Sequence, residues 1–179
     1  MKIIKWIARL LLFAIVGTLG AAAFSESHYR VQATRTISAP PAQVYAEIAD
    51  LKNWEQWSPW KAKDPSVVNT YDGPASGAGS TMSWTSEKSG SGKVTITDTF
   101  PNVHVRYQLV FIDFDSKSDG EILLTDQGGA TQVMWAMEGE RSFVERLFWL
   151  VFRAEKAMLN DFNFGLELLE KSVKTKQPV

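Results

Sequence analysis

The chain contains no cysteine. That excludes disulfides, thiol nucleophiles and thiolate metal sites. Histidine is almost as scarce: of His28 and His104, only His104 lies well inside the main body of the sequence. A single histidine without a thiolate makes a poor metal site, and Asp98, Glu138 and Glu140 are scattered at no ligand spacing. Neither a metal nor a cofactor is expected. An excess of either charge is also missing, since 19 Lys and Arg face 20 Asp and Glu for a net charge of −1. With no long basic block, nucleic acid is not an expected partner. Lys171, Lys174 and Lys176 read as a solvated tail. No G-x-x-x-x-G-K-[ST] phosphate loop occurs, and helices do not follow Gly77/Gly79, Gly90/Gly92 or Gly128/Gly129, which read as hairpin turns. There are no internal repeats and no low-complexity segment.

What is present begins with an apolar N-terminus. Lys2, Lys5 and Arg9 precede an uncharged run over residues 10–24. Counted from Ile3 the stretch is about 22 residues, close to the roughly 20 that span a bilayer. Basic residues before it predict a cytoplasmic N-terminus and a single-pass protein of the cell membrane, with its domain on the exported, periplasmic or extracellular side. A signal peptide cut near Ala21-Ala22-Ala23 is the competing reading, and would leave a secreted domain. A buried soluble helix is the third. Residues 1–26 are therefore set apart as an anchor or signal segment, and residues 29–174 as one domain.

The domain alternates strand and turn signals. Residues 29–37 read as a first strand, stopped by Ser38-Ala39-Pro40-Pro41. Val44, Tyr45, Ile48 and Leu51 mark a short amphipathic helix, and Trp54, Trp57 and Trp60 step through a further helical turn. Strands are expected over 67–71, 80–86, 93–100, 103–112, 121–125 and 131–138, with polar turns over 89–92 and 113–119. The last stretch, 142–173, carries apolar residues at three- and four-residue steps behind a Ser142/Glu145 capping box. It reads as one helix, roughly 45 Å long. The fold class is α+β: a curved antiparallel sheet wrapped around a long C-terminal helix, with an apolar hollow between the two.

Residues 28–60, HYRVQATRTISAPPAQVYAEIADLKNWEQWSPW, resemble the opening of the START/Bet v1-like SRPBCC superfamily, specifically its polyketide cyclase/dehydrase-like proteins. The matching positions are Ile37-Ser38-Ala39-Pro40, Val44, Asp50, Trp54 and Trp57-Ser58-Pro59-Trp60. The likeness continues weakly through Gly92, Val133 to Trp135, and Phe162 to Leu169. An N-terminal membrane segment directly before the domain resembles one bacterial subgroup. The resemblance implies a helix-grip fold with a hydrophobic cavity. It does not imply one activity, since members bind lipids, sterols or polyketides and some catalyse cyclisation.

Side-chain parity nominates Trp57, Trp60, Met82, Trp84, Tyr107, Phe111, Trp135 and Phe148 to hold a lipid-like or polyketide-like molecule, against the plainer reading of an aromatic core. Parity turns His104 outward and the Tyr107 hydroxyl inward. Asp113 and Asp115 form either a carboxylate pair at the cavity rim or a solvated turn. Phe143–Phe152 is apolar almost all round, which fits burial, contact with a bilayer or partner, or a gate at the cavity mouth. No catalytic residue is assigned. Three functions follow: a membrane-tethered binding module for a hydrophobic small molecule or lipid, a cyclase/dehydrase-type enzyme using the same cavity, and an interaction module with a filled core.

Overall fold

A computed structural model describes residues 2–176. Helix α1 (Lys2–Phe24) leads into β1 (His28–Ile37), then the helices α2 (Pro41–Ile48), α3 (Trp54–Trp57) and α4 (Pro59–Lys63). Six strands follow: β2 (Val68–Asp72), β3 (Thr81–Ser86), β4 (Gly90–Phe100), β5 (His104–Phe111), β6 (Ser116–Asp126) and β7 (Thr131–Glu140). Helices α5 (Phe143–Phe152) and α6 (Ala154–Thr175) close the chain. All strand pairs are antiparallel, and the order across the sheet is β1-β7-β6-β5-β4-β3-β2.

Alternation makes the sheet one-sided. Val105, Tyr107 and Leu109 of β5 are buried, while Arg106 on the other face reaches across to Glu121 of β6. Val133, Trp135 and Met137 do the same for β7. Phe162, Leu166, Leu169 and Val173 recur at helical steps on α6 and lie on this apolar face, with Phe162 stacked on Trp135 at 4.5 Å between ring centroids. Gly165 lets the helix come that close, since a Cβ there would stand 2.6 Å from the Trp135 ring.

Three local expectations need correction. The C-terminal stretch is two helices, not one. Arg153 takes φ 51° and ψ 44°, a left-handed residue that ends α5 and redirects the chain into α6. The segment 113–119 is mostly strand, because β6 begins at Ser116 and its exposed Lys117 and Asp119 alternate with buried Ser118 and Gly120. A buried glycine and serine in place of apolar residues hid that alternation. The turn expected at 89–92 lies instead at residues 87–89, so β4 starts at Gly90. The C-terminal lysines are also less free than a tail. Lys176 donates to Glu47, whose nearly inaccessible carboxylate also accepts from Ser172, tying α2 to the end of α6.

Register defines two ends of the sheet. His28 pairs with Glu140, Phe111 with Ser116 and with Gly92, Ser86 with Gly90, and Thr85 with Val68. All these residues share the end at which α1 joins the domain and α5 leaves it.

Candidate functional site

The short helices form a roof. Trp54 and Trp57 donate their indole N–H groups to the carbonyls of Ile48 (2.9 Å) and Glu47 (3.4 Å), which fixes α3 against the end of α2. Ser58 caps α4 by accepting from the Lys61 amide, and Lys61 donates from Nζ to the carbonyls of Val67 and Pro65. Beneath this roof, strands β2 to β5 form the floor of a cavity of about 210 Å³. Its walls are Trp54, Trp60, Met82, Trp84, Leu109 and Phe111, with Val94 below. Trp84 meets Phe111 edge to face at 5.6 Å. Its indole lies across Gly92, where a Cβ would fall 2.2 Å from the ring. An apolar cavity of about 150 Å³ already accepts a benzene-sized molecule, and drug-sized sites start near 300 Å³. The space therefore suits one ring system or the end of a chain.

Polar groups are confined to the rim. Glu55 Oε1 accepts from the Tyr71 hydroxyl at 2.6 Å and from Asn69 Nδ2 at 3.0 Å. These two bonds hold the Glu55 carboxyl below the usual carboxylate range. Burial, then the bond to Glu55, pushes the Tyr71 hydroxyl well above the usual phenol range. Asp64, at the end of α4, accepts from Ser66 on one oxygen and from Ser86 and Ser89 on the other. The serine hydroxyls hold its carboxyl far below the usual range. This buried carboxylate staples the roof to the β3–β4 hairpin beside the cavity mouth.

The structure divides the eight residues nominated from sequence. Trp60, Met82, Trp84 and Phe111 meet on the cavity wall. Trp57, Tyr107 and Trp135 sit behind it in the core. The Tyr107 hydroxyl does not reach the cavity; it accepts from Trp135 Nε1 at 2.7 Å, and burial pushes it well above the usual phenol range. The Trp135–Phe162 stack fills the gap between α6 and the sheet, so the hollow opens under α3 and α4 rather than along the long helix. Phe148 lies on α5, away from the cavity, 53% exposed and against Phe152. Glu55 and Asn69 carried no sequence signal, being 14 residues apart and joined only by the fold.

His104 faces outward as parity indicates, with Nε2 at 2.8 Å from Asp98 Oδ2. Asp113 and Asp115 do not pair. Asp113 accepts from the Ser91 amide and hydroxyl, while Asp115 occupies a left-handed position, φ 47°. Among the described residues, no three His, Asp or Glu side chains converge as metal ligands do.

A family model described as polyketide cyclase/dehydrase and lipid transport matches residues 28–174. No curated protein sequence gives a significant match. Solved structures share the fold at low identity. A protein of Mesorhizobium loti is 18% identical with a TM-score of 0.62, covering 84% of this chain and 100% of its own. The Aha1 dimer from Colwellia psychrerythraea is 16% identical with a TM-score of 0.59, covering 84% and 99%. DynU16, a protein in the dynemicin biosynthetic locus, is 13% identical with a TM-score of 0.58, covering 83% of this chain and 48% of its own.

Proposed function

The chain belongs to the polyketide cyclase/dehydrase and lipid transport family, and on that premise we propose that it binds a small apolar molecule in the cavity under α3 and α4. The observation that carries this reading is a hollow of about 210 Å³ walled by Trp54, Trp60, Trp84 and Phe111, with its polar groups held at the rim. A ring or a short acyl end fills it, and a longer molecule extends through the mouth. Helix α1 supports a second part of the proposal. It has 23 residues, an apolar body and Lys5 and Arg9 near its start. At 1.5 Å per residue it is about 34 Å long, enough to cross the hydrocarbon core. In this reading it tethers the domain on the exported side, beside a reservoir of apolar ligands.

A cyclase/dehydrase reading has one observation in its favour, the Glu55–Tyr71 pair at the rim. Efficient proton transfer favours groups that titrate near the working pH. Glu55 is shifted down and Tyr71 up, so near neutrality both keep their protonation states. Binding is therefore the better-supported role.

The test is organic extraction and mass analysis of the purified full chain, followed by titration with a fluorescent fatty-acid analogue. Binding that quenches tryptophan emission and weakens at least tenfold in Trp84→Ala is the expected result. A protein that yields no apolar molecule and takes up no analogue removes the proposal.

A further inference from the structure

Helix α5 is built inside out for a helix on a soluble domain. Of the half-buried residues turned to the rest of the protein, Glu145, Arg146, Leu147 and Trp149, only Leu147 is a plain aliphatic. Arg146 donates to the carbonyls of Ala23 and Ser25, Glu145 completes the cap with Ser142, and Trp149 packs on Tyr29 at 4.5 Å. The outward side carries Val144, Phe148, Val151 and Phe152, all more than half exposed. An amphipathic helix covering a core shows the opposite arrangement. Arg141 and Arg153 flank the helix, and the Arg141 guanidinium lies over the Trp149 and Tyr29 rings at 4.7 Å and 5.6 Å.

Two further features lie at the same end of the domain. Helix α1 packs against α5, and the carbonyl of its penultimate residue, Ala23, is held by Arg146. The tip between β5 and β6, the short 3-10 turn Ile112–Phe114, exposes Ile112 and Phe114, the latter by 74%. Glu145 and Ser116 interact, which joins this tip to the start of α5.

Resting on the proposal that α1 spans a membrane, we infer that α5 and the Ile112–Phe114 tip form a seat on the bilayer surface, with α5 embedded at the boundary between headgroups and acyl chains. Apolar residues with flanking arginines and aromatic rings suit that boundary, where cationic groups meet anionic headgroups. Continuity with α1 selects the bilayer over a protein partner, since the patch begins where the spanning helix ends. The seat also lies close to the cavity: Phe111 is cavity wall, and Ile112, the next residue along the chain, belongs to the exposed tip.

The absence of cysteine makes the test direct. Single substitutions Phe114→Cys, Val144→Cys and Phe148→Cys, with Leu12→Cys and Gly128→Cys as references, are labelled with an environment-sensitive fluorophore. The full chain is reconstituted into vesicles of phosphatidylcholine and phosphatidylglycerol, with and without brominated acyl chains. Gly128 lies in the hairpin at the opposite end of the sheet. All positions but 128 are expected to shift blue and lose most of their emission to bromine. Quenching at 12 without quenching at 114, 144 and 148 overturns the seat and leaves the span standing. No quenching at 12 overturns the span, and the seat with it.

Discussion

Trp135 on β7 donates its indole N–H to the Tyr107 hydroxyl on β5 at 2.7 Å, across the strand that separates them. Gly120 of β6 makes the reach feasible, because a Cβ there would lie 2.0 Å from the Tyr107 ring. Trp135 then stacks on Phe162 of α6. One hydrogen bond thus fixes the orientation of the indole on which the long helix rests, and it uses the tyrosine hydroxyl that parity alone would assign to a ligand.

Tyr107→Phe removes the acceptor and leaves a buried indole N–H without a partner. Such a loss costs about 1–3 kcal/mol. Urea unfolding is expected to show that decrease, while affinity for an apolar probe stays unchanged. An unchanged midpoint together with lost binding reverses the assignment and returns Tyr107 to the site.

Gly92→Ala tests the cavity wall. The added Cβ would stand 2.2 Å from the Trp84 ring and 2.5 Å from the Val110 carbonyl oxygen, so the indole must swing off the strand. Overpacking of this kind costs about 1–3 kcal/mol. The displaced ring occupies the cavity, and probe affinity is expected to fall more than tenfold in the variant that remains folded. Trp84→Phe combined with Gly92→Ala relieves the clash with the ring but not the approach to the Val110 carbonyl, and is expected to recover only part of the lost stability.

Much of this was legible in sequence, for identifiable reasons. Alternation along β5 and β7 gave the buried face, because side chains in a strand have a period of two. It also turned His104 outward and brought Met82, Trp84 and Phe111 to one wall. Parity could not separate wall from core, since Trp57, Tyr107 and Trp135 differ from Trp60 and Trp84 in what packs over them and not in which side they face. The Glu55–Asn69–Tyr71 rim depends on α3 folding back over β2, a tertiary contact with no local pattern. The cavity was expected under the long helix because nothing in the spacing announced that Phe162 and Trp135 would stack there.

The Glu55–Tyr71 bond predicts a pH dependence of fixed sign. The folded-state titration of Glu55 lies below its ordinary value of 4.5, drawn down by the bonds from Tyr71 and Asn69. Its contribution to stability is present above that value and is lost as pH falls through the folded one. Tyr71 is shifted up from 10.0, so its contribution is present below that value and is lost as pH rises through the folded one. Glu55→Gln is expected to flatten the stability profile below about pH 4.5, and Tyr71→Phe to flatten it above about pH 10. Chemical denaturation across pH reads both limbs, and wild-type slopes in both variants would discard the bond.

The break at Arg153 supports the sharpest stability test. Left-handed backbone costs a residue with a Cβ roughly 1–2 kcal/mol, while glycine adopts it freely. Glycine's extra freedom in the unfolded chain offsets roughly 0.5–1 kcal/mol of that gain. Arg153→Gly is therefore expected to hold or raise the melting temperature. Arg153→Pro fixes φ near −65° and cannot supply the observed 51°. It forces α5 off its present course, weakens the Arg146 contacts to Ala23 and Ser25, and lowers stability by about 3 kcal/mol. If the segment were one continuous helix the glycine variant would be the damaged one, losing about 1 kcal/mol as helix interiors do. Thermal melts of the two variants beside the wild type distinguish the geometries by the sign of the glycine effect.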